Sequence, residues 1–249
     1  MARYQVILAY DGTHFKGFQR QAGKSEARTV QRTFESALRK LGWIGRSILS
    51  AGRTDSGVHA SGQVVAFDLE WQHSRMELIA ALNANLPVDI AVRDLFEVGS
   101  DFHPRYDALS RRYCYRIFVD PIRNPLHERF AWRVWPEVDV GLLHQAAACL
   151  VGTHDFRAFG TPPHSGGTTV RSIRQANWIE DQETLVFDIQ ANAFLYRMVR
   201  KLVGYQIKIG QGKLELAAIN ERLKDQSTAR VKSIAPAQGL TLVSVEYVQ

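Results

Sequence analysis

Cysteine is scarce in this chain. Two occur in 249 residues, Cys114 and Cys149, and neither belongs to a C-x-x-C pair. That spacing supports neither a disulfide framework nor a zinc site, and free thiols fit a reducing compartment. Long apolar runs are missing too. No segment approaches the roughly 20 apolar residues that span a bilayer, and no basic stretch followed by an apolar one opens the chain. The expectation is a soluble, cytoplasmic protein with no membrane partner. Cofactor signatures are equally absent: there is no G-x-G-x-x-G, no G-x-S-x-G and no H-E-x-x-H. Gly23-Lys24-Ser25 imitates the end of a phosphate-binding loop, but the full pattern needs glycine where Phe18 stands. The histidines are scattered, and His144 and His59 read as structural, so no metal is expected.

Positive charge is what the chain has in excess. Lys plus Arg is 31 against 25 for Asp plus Glu, a net charge of +6. Arginine is the commoner base, and guanidinium forks match phosphate geometry, so the charge points to nucleic acid as a partner.

The segment Ala51-Gly52-Arg53-Thr54-Asp55-Ser56-Gly57-Val58-His59-Ala60 is the most informative. It sets an ionisable carboxylate between two glycines, which permit a sharp turn and a close approach by a partner. Apolar runs flank it, Ile48-Leu49 and Val64-Val65-Ala66-Phe67, so the turn is expected on a rigid sheet, where binding and catalytic groups are commonly placed. In an extended segment Arg53 and Asp55 face the same way. An exposed pair of that kind adds under about 1 kcal/mol to stability, which leaves recognition of an anionic substrate as its better use. A plain turn-forming Asp is the competing reading.

Three further segments have mixed readings. Tyr10 to Gln21 interleaves Lys16, Gln19 and Arg20 with Phe15 and Phe18, a composition suited to a nucleic-acid strand or to an ordinary solvated loop. In Arg112-Tyr113-Cys114-Tyr115-Arg116, strand alternation puts the tyrosines on one face, where one can stack on a base or both can be half-buried. In Ala193 to Gly204, read as a helix, Leu195, Met198, Val199, Leu202 and Val203 form a core stripe. Arg197, Arg200 and Lys201 then lie off it as an exposed basic face, or Arg200 pairs with a carboxylate from the other half.

The first hundred residues read β-α-β-β-α-β, the rhythm of a ferredoxin-like unit. Strands are expected at Arg3–Tyr10, Arg46–Ala51, Gly62–Leu69 and Asp89–Val98. Helices are expected after an N-cap at Thr29 and a capping box at Ser74–Glu77. The second half reads as a strand at Arg112–Val119, an irregular stretch to Pro136, a helix from Asp139 to Leu150, and a loop from Arg157 to Thr169. A hairpin over Arg171–Gln190, helices at Phe194–Ile209 and Leu214–Leu223, and a strand at Leu240–Tyr247 complete it. The fold class is α+β, in two α+β subdomains, residues 1–103 and 104–249, sharing a central antiparallel sheet with flanking helices.

Together these motifs resemble the tRNA pseudouridine synthase A family. The matching pieces run in order: Tyr10-Asp11-Gly12-Thr13, Gly17-Phe18-Gln19-Arg20-Gln21, Thr29-Val30-Gln31, Gly52-Arg53-Thr54-Asp55, Gly57-Val58-His59-Ala60 and Gly62-Gln63-Val64. Leu82-Asn83, Leu86-Pro87, Phe102-His103, Arg112-Tyr113-Cys114-Tyr115, Gly152-Thr153-His154-Asp155-Phe156, Met198-Val199-Arg200, Ala235-Pro236 and Gly239-Leu240 follow. Phe18 stands where the family usually has Trp, and Ser56 where Ala is more usual; neither change removes a reactive group. The resemblance implies the pseudouridine synthase fold, a homodimer without cofactor or metal, and isomerisation of uridine to pseudouridine at positions 38, 39 and 40 of the tRNA anticodon stem-loop. It implies Asp55 as the catalytic carboxylate, Tyr113 stacked on the target uracil, Arg200 as its balancing cation and Arg53 on the flipped nucleotide. RNA backbone contacts are expected from Lys16, Gln19, Arg20 and Arg197. A non-catalytic RNA-binding module on the same fold is the alternative.

Overall fold

The computed structural model describes residues 1–21, 23, 27–162, 164, 166–225, 227 and 229–248. Lys24 and Ser25 of the phosphate-loop imitation, and Pro163 of the expected Arg157–Thr169 loop, lie outside the described residues. Two compact units form, Met1–Leu109 with Leu242–Gln249, and Ser110–Thr241. The division falls after Leu109 rather than at the expected boundary after residue 103, and most of the C-terminal strand lies with the first unit.

In the first unit, β1 (Ala2–Tyr10) alternates buried and half-buried residues, as an amphipathic strand must. Helix α1 (Val30–Lys40) is capped by Thr29, whose hydroxyl accepts from Arg32 N. Strand β2 (Leu49–Ser50), strand β3 (His59–Leu69), helix α2 (Arg75–Asn85) and strand β4 (Ile90–Val98) follow. β1 lies between β4 and β3, and β2 pairs with β3, all antiparallel. Strand β10 (Leu240–Glu246) also neighbours β3. Tyr4 faces Phe67 across the β1–β3 ladder, and Phe34 of α1 reaches the same ring at 5.9 Å, so α1 packs on that face of the sheet. Val6, Leu8, Phe34, Leu38, Val65, Leu78, Leu82 and Leu95 are wholly buried there.

The second unit holds β5 (Ser110–Val119), β6 (Trp132–Val134), α3 (Val140–Ala148), β7 (Gly152–Asp155), β8 (Val170–Asp181), β9 (Thr184–Ala191), α4 (Met198–Gly210) and α5 (Ala217–Lys224). Its strands run β5-β9-β8-β7, antiparallel, with β6 parallel beside β5. Trp178 of β8 donates its indole N–H to the buried Gln206 of α4 at 2.9 Å, tying helix to sheet.

Four local expectations change. The strand expected over Arg46–Ala51 shrinks to two residues, because Ile48 N–H donates to the Glu35 carboxylate rather than to a ladder partner. Trp132–Val134 is a short strand inside the stretch read as irregular. β7 begins at Gly152, just past the helix expected to end at Leu150, where no strand was expected. Helix α4 starts at Met198, not Phe194, because Arg197 adopts a left-handed backbone, φ 63°, and Tyr196 N–H bonds to Thr161 O instead. Among the described residues, no helix is long and apolar enough to cross a membrane.

The Ser74–Glu77 capping box is formed on both sides, with Glu77 Oε2 accepting from Ser74 N at 2.8 Å. Ser74→Ala is expected to cost about 1 kcal/mol of stability, read as a lower urea midpoint with an unchanged slope.

Candidate active site

The turn at Asp55 is held at almost every backbone position. Thr54 is buried and shares a 2.8 Å hydrogen bond with the phenol of Tyr10 at the end of β1. Phe18 N–H donates to Thr54 O at 3.0 Å, and Val58 N–H closes the turn on Asp55 O at 3.2 Å. Gly57 N–H and Ser56 Oγ both donate to Phe15 O, and Gln63 Nε2 donates to Gly52 O. Alternation about the buried Thr54 leaves Arg53 exposed and Asp55 half-exposed on the opposite side of the chain. A carboxylate is thereby presented from a rigid base, as the sequence spacing implied.

The glycines divide by role. Gly57 needs its left-handed backbone, φ 79°. Gly17, at φ 88°, lies so close to the turn that an added Cβ would stand 3.0 Å from Thr54 O. Gly52 has ordinary backbone and nothing within 4 Å of a notional Cβ, so it leaves open space beside Arg53 rather than shaping the turn.

The Tyr10–Gln21 loop packs over this turn through its aromatic rings. Tyr10, Phe15 and Phe18 are all buried, which corrects the notion of rings offered for base stacking. The rings serve as ballast, and Lys16, Gln19 and Arg20 point outward. Arg20 is already engaged: its guanidinium lies 3.1 Å from the Glu35 carboxylate and donates to Arg46 O.

Glu35 escaped the sequence reading. Its side chain is wholly buried in α1, with Arg39 at 3.8 Å as a second cation. Its Oε1 accepts from Gln31 Nε2 at 2.9 Å and from Ile48 N at 3.2 Å, while Gln31 Oε1 accepts from Arg20 N. One buried carboxylate therefore fixes both the loop that covers the Asp55 turn and the strand that leads into it. The signal was present: Gln31 and Glu35 stand one helical turn apart, beside the apolar stripe of Val30, Phe34 and Leu38.

In the second unit the two tyrosines of β5 part company. Tyr115 is wholly buried and donates to Pro236 O at 2.8 Å, so it is structural. Tyr113 is half-buried, held edge-on by Phe194 at 5.1 Å. Arg112 is locked on the buried Asp188 at 2.7 Å. Arg200, in the first turn of α4, donates Nε–H to Ala235 O at 2.8 Å. Arg197 sits outside the helix expected to carry it, exposed and stacked 4.8 Å from the Tyr196 ring. One turn on, the Lys201 ammonium is held below its ordinary pKa by burial and then by Arg230 and Arg197. Among the described residues, no group of His, Cys, Asp or Glu is arranged to hold a metal.

The model of the tRNA pseudouridine synthase family matches residues 6–107 and 146–248. A tRNA pseudouridine synthase A of Limosilactobacillus fermentum is 38% identical, covering 99% of this chain and 96% of that one. One of Streptococcus equi subsp. equi is 40% identical over 99% of both, and one of Geobacter sp. is 37% identical over 99% of both. The chain belongs to the tRNA pseudouridine synthase family and is an isomerase of that class.

Two outcomes follow for the base of the site. Burial pushes the Tyr10 phenol up to about 12 from 10, against weaker opposing bonds from Thr54 and Gln63. Above pH 10 the unfolded phenol loses its proton while the folded one keeps it, so stability falls as pH rises toward 12. Tyr10→Phe is expected to flatten that alkaline decline, measured by urea titration across the window. Glu35→Ala strands buried donors at about 1–3 kcal/mol each; Glu35→Gln keeps an acceptor and is expected to lose less in the same titration.

Proposed function

We propose that this protein converts uridine to pseudouridine at positions 38, 39 and 40 of the tRNA anticodon stem-loop, with Asp55 as the reacting carboxylate. The observation that carries the reading is the Asp55 turn, a half-exposed carboxylate on a backbone anchored by the buried Tyr10–Thr54 bond. The reaction breaks the uracil N1–ribose C1′ bond, turns the base and joins C5 to C1′, with the C5 proton moving to N1. Every atom is retained and no electrons leave. A carboxylate can assist by adding to C1′ or C6, or by removing a ribose proton.

Stem uridines are paired, so the base must be flipped out at a cost of a few kcal/mol. Arg53 is exposed two residues from Asp55, beside the open space at Gly52, and suits the phosphate of a flipped nucleotide. Tyr113 offers a half-buried ring for the uracil, and Arg200 a cation for the substrate. Lys16 and Gln19 are exposed and suit an RNA backbone, as does Arg197, which rests on the Tyr196 ring. Arg20 has a weaker claim, since Glu35 and Arg46 O already occupy it.

Asp55→Ala is expected to bind tRNA as the parent does and to form no pseudouridine on an unmodified transcript. Product from the purified variant would remove Asp55 from the chemistry. Absence of product from the parent protein would instead make it a non-catalytic RNA-binding module.

A further inference from the structure

Helix α1 turns one kind of chemistry outward. Its exposed residues are Arg32, Ser36, Arg39 and Lys40, and its single acid, Glu35, is buried. Surface helices ordinarily mix the signs of their charges, because like charges a turn apart repel. Here the outward face is basic and hydroxylic throughout. It borders a groove of about 350 Å³ lined by Arg28, Arg32, Thr33, Ser36, Lys40 and Asn85, with no carboxylate in the lining. Arg28 is neutralised by Asp89, at 2.7 Å through both nitrogens. Arg32 and Lys40 have no side-chain hydrogen bond or ion pair to a described residue.

Arg32, Ser36 and Lys40 stand four residues apart, so they climb the helix in steps of about 6 Å. That is close to the separation of neighbouring phosphates along one nucleic-acid strand. The groove shares Arg28 with the loop that packs on the Asp55 turn. Arg28 O accepts from Lys16 N at 2.8 Å, the Arg28 guanidinium lies 4.3 Å over the Phe15 ring, and Phe15 O holds Ser56 and Gly57. Lys16 thus lies one backbone contact from Arg28, and the exposed bases Arg32 and Lys40 continue along α1.

We propose that this groove is a second RNA-binding site, in which Arg32, Ser36 and Lys40 grip successive phosphates of the tRNA whose target uridine lies at Asp55. The inference rests on the activity proposed above. The groove contributes binding and leaves the chemical step alone. Its ligand is a phosphodiester backbone, read without sequence preference, because the lining offers charge and hydroxyl donors and no exposed ring.

The test compares Arg32→Gln/Lys40→Gln with Lys208→Gln/Lys213→Gln, which removes the same charge from exposed positions of the second unit. Unmodified full-length tRNA transcript is titrated at several salt concentrations. The groove variant is expected to bind several-fold more weakly at low salt. Its slope of log affinity against log salt should be shallower by roughly 1.5, as for two lost phosphate contacts. Its kcat at saturating tRNA should be unchanged, and the control pair should keep the parental slope. A parental slope in the groove variant, or an equal loss in the control pair, would overturn the site. If the parent binds tRNA but makes no pseudouridine, the proposed activity fails while the binding comparison still decides the groove.

Discussion

The hydrogen bond between the Tyr10 phenol and the Thr54 hydroxyl is the constraint on which the site depends. Both partners are buried: losing the phenol would strand the Thr54 hydroxyl, at a cost of roughly 1–3 kcal/mol, and losing Thr54 would leave the phenol only Gln63 at 3.5 Å. With Thr54 fixed inward, strand alternation sends its neighbours Arg53 and Asp55 outward. The backbone is then clasped from the other side by Phe15 and Phe18. In the role proposed for it, a carboxylate so held needs little ordering when a substrate arrives.

The support has its own depth. Phe15 and Phe18 are buried beneath the loop, and Glu35 ties loop, helix and incoming strand through one carboxylate. Burying a charge is costly unless it is paired and hydrogen-bonded. Glu35 has two N–H donors on Oε1 and two arginines beside Oε2, which offset part of that cost. The same helix keeps its acid inward and its bases outward. Charge thereby serves structure on one face of α1 and, in our account, RNA on the other.

Much of this was legible from residue order. The Thr29 cap, the Ser74–Glu77 capping box and the β-α-β-β-α-β rhythm came from local chemistry that tertiary contacts did not override. The exposure of Arg53 and Asp55 followed from a two-residue period. What stayed hidden depended on distant partners. Nothing local distinguishes Phe15 and Phe18 as core rather than as stacking rings, because their burial comes from packing against the Asp55 turn. Arg197 looked helical by periodicity, yet a backbone bond from Tyr196 to Thr161 places it outside the helix. The burial of Glu35 is set by Ile48 and Arg20, which converge on it from other segments.

The central claim is that the position of the Asp55 carboxylate, and not its charge alone, makes the site. Asp55→Glu keeps the charge and moves it outward by one methylene on an unchanged backbone. Single-turnover pseudouridine formation on an unmodified tRNA transcript tests this directly. The account predicts parental tRNA affinity and melting temperature with a rate lowered at least about 100-fold, in line with the cost of misplacing a catalytic group by about 1 Å. A rate within a few-fold of the parent would contradict it.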